Sequence, residues 1–400
     1  MAREIPPTAG LPLRASDLLP GPVNLAQATG VALGLPSPQL ECSGTAALIV
    51  ALTTLARGSD RRTVIVPAYT CPLVALAVAR CGLQLRVCDL APSHFDLDLA
   101  HLAALIDHDT LAVVPTHLGG RVADVASVVA LAHRGGAFVV EDAAQALGAT
   151  IGGLSVGLQG DAGFFSLAAG KGLSIYEGGL LVSASEERRD HFRATHELQV
   201  PDRPVWEWRR LLELLGYWAF YRPRGLHHVY GEPLRRALER GDPVGAVGDR
   251  FSPDIPVHRV GAWRQMIGSR ALNRLPDFLT LTREQAHERR SRLQALGVMV
   301  AGDRPGDEGV WPFFMVLMPT EAQRDAALGR LWRRGLGVSR LFIHALCDYD
   351  ELRNVVPFAE VPRARDFAAR MLTISNSPWL DDERFEEICR ELARVLAVAD

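Results

Sequence analysis

The 400 residues carry 43 basic and 46 acidic side chains, a formal charge of −3, and 48% of them are hydrophobic. A chain of this length buries a large core and is expected to divide into two domains. The near-neutral balance, with arginines spread along the chain, excludes the basic footprint of a nucleic-acid binder.

Six cysteines (Cys42, Cys71, Cys81, Cys88, Cys347 and Cys389) form no CxxC pair and no metal-ligand spacing. They read as buried reduced thiols, and no metal is expected. The opening residues, Met1 to Pro7, contain no apolar core of a signal peptide. No uncharged apolar stretch reaches the ~18 residues of a spanning helix, so the expected location is the cytoplasm.

In chain order, residues 40–190 alternate short β-rich runs with helical stretches. Strands are predicted at 63–67, 83–88, 111–115, 137–141, 163–166 and 179–183, with helices such as 73–80 and 122–134 between them. That alternation predicts an α/β sheet covered by helices on both faces. Such sheets bind ligands where loops leave the carboxyl ends of the strands. Polar residues concentrate there, after Pro67, Pro115, Glu141 and Phe165.

Residues 200–255 change character. Trp206, Trp208, Tyr217, Trp218, Phe220 and Tyr221 crowd into an expected amphipathic helix at 206–221, followed by a loop broken by proline and glycine that carries Tyr230. Packing on the core or across a dimer interface is the first reading, and a lid over a substrate the second. Membrane contact through 206–221 comes last, because no polybasic face accompanies it. From 256 onward a second domain is expected, with helices at 283–296, 321–334 and 382–398 and a strand at 310–317. The predicted domains are therefore 1–255 and 256–400.

Among the 43 basic residues only one is lysine, Lys171. Arginine replaces lysine as a surface charge but cannot supply a neutral amine, because its guanidinium stays protonated. Chance survival on a solvated loop is the bland explanation. The setting weakens it: Lys171 follows Ser166 by five residues in a turn of small residues between apolar segments. A hydroxyl for phosphate and an amine for an aldehyde, on one turn, suit the two ends of one cofactor.

Three further pieces fall in order. Ser43, Gly44 and Thr45 open a helical run, where free amides and a hydroxyl make an anion site; a serine there is more often only an N-cap. The strand at 137–141 runs into Asp142, then Gln145. A buried carboxylate there needs a cation or a proton, and a protonated pyridine nitrogen is one such partner. A carboxylate capping the following turn is an equal reading. His117, in the glycine turn after Pro115, is taken as a satisfied structural residue.

Together these pieces resemble the DegT/DnrJ/EryC1/StrS family of sugar aminotransferases, within the fold-type I, aspartate-aminotransferase-like enzymes. The match is carried by Ser43–Leu48, Glu141–Gln145, Gly160–Lys171 and the Gly178–Gly179 pair, and continues weakly at 259–278 and 367–380. The resemblance implies a large domain with a mostly parallel sheet and a smaller C-terminal α/β domain. It implies pyridoxal 5'-phosphate as a Schiff base on Lys171, which also shuttles the proton. Asp142 would bind the pyridine nitrogen, Gln145 the ring hydroxyl, and Ser166 with Gly44 and Thr45 the phosphate.

The reaction implied is transfer of an amino group, probably glutamate's, to a keto group of a nucleotide-linked sugar, in a homodimer. Two departures stand out. Cys71 occupies the position of the usual ring-stacking aromatic, which leaves Tyr69 as the candidate. Val257, His258 and Arg259 replace an Asn-Tyr-Arg segment. A sugar dehydratase, which carries His for Lys, a lyase using a reactive cysteine, and a non-catalytic cofactor-binding regulator are the alternatives.

Overall fold

The computed structural model describes residues 3–397. Its larger sheet has seven strands: β1 (Gln39–Glu41), β2 (Thr63–Pro67), β3 (Gln84–Cys88), β4 (Thr110–Val113), β5 (Phe138–Asp142), β6 (Ala162–Ser166) and β7 (Gly179–Val182). The order across the sheet is β1-β7-β6-β5-β4-β2-β3. From β3 to β6 all neighbours are parallel, and β7 runs antiparallel to both β6 and β1. β2, β4 and β6 are buried along their whole length, as strands covered on both faces must be. The six predicted strands all form, with ends shifted by two residues or fewer.

The helix Gly44–Arg57 starts directly after β1, and Pro72–Arg80 starts with a proline in its first turn. The aromatic helix spans Pro204–Phe220 and buries Leu214 and Tyr217. Its first turns are locked by Glu207, whose carboxylate receives two hydrogen bonds, 2.6 and 2.5 Å, from the buried Arg264.

The stretch after it is not the broken loop expected. It forms the short helices Pro223–Leu226, Glu232–Glu239 and Pro243–Val247 around a π-turn at His227–Gly231. Pro223, Pro233 and Pro243 all sit in helical first turns. There the missing N–H costs nothing, so these prolines begin helices rather than end them. Residues 248–261 are irregular.

A second, four-stranded antiparallel sheet holds β8 (Met299–Val300), β9 (Phe313–Leu317), β10 (Val338–Ser339) and β11 (Met371–Ser375), in the order β8-β9-β11-β10. It packs with the helices Leu275–Gln294, Glu321–Leu331 and Asp382–Leu396 around Phe314, Val316, Leu372 and Ile388. The first of these begins well before residue 283, because Pro276 opens it. The last was expected to reach Val398, which lies outside the described residues. β9 begins at Phe313 rather than Val310, because Val310 N–H is donated to Gly120 and the Pro312 carbonyl accepts from Ala9. Among the described residues no helix is long and apolar enough to cross a membrane.

Candidate active site

A cleft of about 660 Å³ opens where the chain leaves β2, β4, β5 and β6, and the Gly44–Arg57 helix points its first turn into it. Its lining contains Gly44, Thr45, Asp142, Gln145, Ser166 and Lys171 together. The sheet explains the convergence: Asp142 ends β5, Ser166 ends its parallel neighbour β6, and β7 returns beside β1 to the start of the helix.

Ser43 is the N-cap of that helix, its hydroxyl accepting from Ala46 N–H at 3.0 Å. This leaves the amides of Gly44 and Thr45 among the unpaired donors of the first turn. Gly44 lies against Ser166: a Cβ placed on it would stand 3.3 Å from the Ser166 Cβ. Helix amides and a hydroxyl thus face one spot, at the positive end of the helix dipole.

Asp142 is 4% exposed. Its carboxylate accepts from Ala144 N–H at 3.0 Å, so the turn-capping reading holds as well. Among the described residues it has no ion-pair partner within bonding distance. Burial therefore pushes its pKa up to about 6, against weaker opposing pulls from that hydrogen bond, Lys171 and His117. Lys171 lies in the 167–178 loop between β6 and β7, and burial pulls its pKa below the ordinary lysine value, favouring a neutral amine. Gln145 accepts from Gly119 N–H at 2.7 Å through Oε1, which leaves its Nε2–H free to donate into the cleft.

Tyr69 is not part of the lining. Its ring meets Phe342 and Phe367 edge-on in the core, and its hydroxyl donates to the Phe342 carbonyl at 2.9 Å. It lies beyond the end of β2 with its side chain turned inward, while Thr70 and Cys71 face the cleft. The structure thus corrects the candidate stacking residue.

Burial raises the Cys71 thiol to about 12, which disfavours the thiolate that a reactive cysteine needs. Of the six thiols, Cys42, Cys88 and Cys389 are buried and the other three are partly exposed; all are free. His117 is fully buried; its Nδ1 accepts from Ala123 N–H and its Nε2 pairs with Glu141 at 3.0 Å. Glu141 takes three backbone N–H groups besides, so the pair is structural.

The far wall comes from residues not named as site candidates from the sequence: Trp206, Arg210, Arg250, Phe251, Ile255 and Phe342. Only Trp206 and Arg210 stand on a predicted element. The others lie on irregular chain, where periodicity says nothing. A surface cluster of His227, His228 and Glu232 lies outside the cleft, with Arg235 donating to His227 Nδ1 and Arg236 pairing with Glu232.

A mostly parallel sheet with its cleft at the carboxyl edge and a small antiparallel domain behind it is the fold-type I, aspartate-aminotransferase-like architecture. The chain belongs to the DegT/DnrJ/EryC1/StrS aminotransferase family, whose sequence profile matches residues 40–215 and 259–393. It is 37% identical over 145 residues to the GDP-perosamine synthase of Caulobacter vibrioides, covering 36% of this chain and 39% of that protein. It is 40% identical over 146 residues to a UDP-N-acetyl-3-dehydro-alpha-D-glucosamine 3-aminotransferase of Acidithiobacillus ferrooxidans, again 36% and 39%. The match thus spans about two fifths of the length of these relatives.

Similar folds include DesI in the presence of its TDP-sugar product, with a TM-score of 0.76, 20% identity and coverage of 100% and 94%. The PMP form of a putative sugar aminotransferase from Streptococcus pneumoniae gives 0.74, 18% identity, and 98% and 99% coverage.

Proposed function

We propose that the protein is a pyridoxal-phosphate-dependent aminotransferase that moves an amino group, from glutamate, to a keto group of a nucleotide-linked sugar. The observation that carries this reading is the pairing in one cleft of a buried, unpaired Asp142 with the chain's sole lysine. A buried acid lacking a cation matches a protonated ring nitrogen, the helix amides with Ser166 match a phosphate, and Gln145 Nε2–H matches a ring oxygen. The cofactor, when bound, supplies an electron sink for a carbanion beside the substrate nitrogen.

The protein's residues do the rest. Lys171 supplies the neutral amine that carries the cofactor, and later takes and returns the proton at the substrate carbon. Asp142 holds the ring-nitrogen proton in place. Gly44, Thr45 and Ser166 fix the phosphate end, and Gln145 orients the ring.

The named activities of the relatives support a sugar acceptor, and the PMP form of the pneumococcal structure supports the cofactor. Free thiols support a reducing, cytoplasmic compartment. A homodimer is supported by an uncovered apolar stripe on the aromatic helix, where Val205, Trp208, Leu212 and Leu215 recur at helical spacing and are 86, 61, 65 and 36% exposed.

The test is an absorbance spectrum of the cofactor-loaded protein before and after excess glutamate. The visible band is expected to bleach as the cofactor takes the amino group. An unresponsive band sinks aminotransfer from glutamate, and a protein that takes up no pyridoxal phosphate sinks the whole reading.

A further inference from the structure

The lysine loop is shaped against its own preference. Tyr176 sits at φ 71° and Gly170 at φ 76°, both in the left-handed region. For a bulky residue such as Tyr176 that conformation is unfavourable and persists only where the surroundings enforce it. Inside the loop, Lys171 N–H reaches the Ala168 carbonyl at 3.2 Å and Ala169 N–H the Tyr176 carbonyl at 2.8 Å.

The stronger restraints come from far along the chain. Both polar groups of the Gly170 backbone are taken: its carbonyl accepts from Thr8 Oγ1 at 2.9 Å, and its N–H donates to the Tyr217 hydroxyl at 3.3 Å. Leu11 N–H donates to the Gly172 carbonyl at 3.3 Å, on the other side of Lys171. The Tyr221 hydroxyl donates to the Thr8 carbonyl at 3.2 Å, and the Tyr217 and Tyr221 rings stack at 4.4 Å. Gly10 passes so close that a Cβ on it would stand 2.8 Å from the Tyr221 hydroxyl and 3.0 Å from the Lys171 carbonyl. An N-terminal strap and two tyrosines of the aromatic segment therefore grip the backbone on either side of the lysine. Both tyrosines lie beyond residue 215, where the family profile breaks off.

We propose that Tyr217 and Thr8 are positioning residues for Lys171, holding Gly170 by both backbone groups so that the amine enters the cleft in the direction the cofactor requires. This rests on the reading that Lys171 carries the cofactor. A hydroxyl bound to the residue before the lysine acts on the lysine's aim and not on the phosphate cradle, which belongs to the Gly44–Arg57 helix and β6. Removing it weakens only binding that passes through the amine.

Two ligands separate the effects. Pyridoxal phosphate binds through both phosphate and lysine, whereas pyridoxamine phosphate cannot be linked to the lysine. The experiment measures both dissociation constants by fluorescence titration of the cofactor-free protein for wild type, Tyr217→Phe, Thr8→Val and Lys171→Arg.

Each of the first two variants is expected to lose about three- to tenfold in affinity for pyridoxal phosphate, the worth of one hydrogen bond. Pyridoxamine phosphate binding should stay within about twofold. Equal loss for both ligands, or no loss for either, overturns the positioning role. If Tyr217→Phe does not fold, Thr8→Val reads the other half of the grip. The Lys171→Arg arm is separate: pyridoxal phosphate binding as tight as wild type there overturns the lysine's role itself.

Discussion

The two walls of the cleft are built in different ways. On the side proposed for the cofactor, Gly44, Asp142, Ser166 and Lys171 stand at a helix start, at two strand ends and in a strand connection, so the backbone of the sheet places them. On the opposite side, Trp206 and Arg210 project from the aromatic helix, and Arg250, Phe251 and Phe342 lie on irregular chain. That side is held by side chains: Arg264 on Glu207, Tyr69 on Phe342, and Tyr349 on Asp249. The family profile covers the first wall and skips residues 216–258 of the second. The difference teaches that the backbone of the sheet fixes the first wall directly, while the second depends on side-chain contacts made between distant parts of the chain. Substitutions should therefore be all-or-none on the first side and graded on the second.

The largest effect is expected at Lys171. Lys171→Arg keeps charge and approximate length but removes the nucleophilic amine, so turnover should fall by about a thousandfold or more with the melting temperature nearly unchanged. A glutamate half-reaction at wild-type rate in this variant breaks the comparison at once.

Asp142→Asn comes next, with an expected loss of about 100-fold in the rate of the half-reaction, in the range seen for removing one charge-stabilising group, while the cofactor still binds. Its pH signature is independent of activity. The folded pKa of about 6 lies above the ordinary carboxylate value, so the folded protein keeps a proton that the unfolded chain has lost. Stability of the cofactor-free protein should then fall as pH rises from about 4 to about 6. Urea titrations at intervals across that window should show a shallower fall in Asp142→Asn. Equal slopes in the two proteins place the titrating group elsewhere.

Third is the anchor of the aromatic helix. Glu207→Ala strands the fully buried Arg264 guanidinium, which costs about 3–5 kcal/mol by the measure of broken buried pairs. Urea unfolding measures this, and a loss under about 1 kcal/mol shows that water reaches Arg264.

The same contrast governs what the sequence made legible. Asp142 and Lys171 were readable because strand alternation and a turn of small residues are local signals, and the sheet converts them directly into position. Tyr69 was misplaced because its sequence neighbours, Thr70 and Cys71, do line the cleft. Only the distant Phe342 and Phe367, packed by the small domain, decide that its ring turns inward. Residues 223–247 were misread because proline and glycine density signals a loop unless the prolines fall at helix starts, as they do here. Arg250 and Phe342 gave no signal at all. Irregular chain has no period, and its partners lie about 100 residues away in the Asp249–Tyr349 bond.

The smallest effect is expected at that bond, and it sharpens the comparison most. Asp249 is 6% exposed and precedes the wall residues Arg250 and Phe251. Its Oδ2 accepts from the Tyr349 hydroxyl at 2.7 Å and from Ile343 N–H at 3.0 Å, tying the irregular segment to the chain beside Phe342. Burial raises its pKa to about 6, with Tyr349, Ile343 N–H and Arg340 pulling the other way.

Tyr349→Phe removes one of the two donors and leaves the other. The apparent KM for glutamate should rise about two- to fivefold with the rate at saturation nearly unchanged, the mark of a wall that binds without reacting. Asp249→Asn keeps an acceptor oxygen but no longer titrates, so its stability relative to wild type should improve between pH 4 and pH 6, by on the order of 1–2 kcal/mol. A fall in saturated rate as large as the rise in KM places this bond in the reaction itself, and the second wall then does more than hold the substrate.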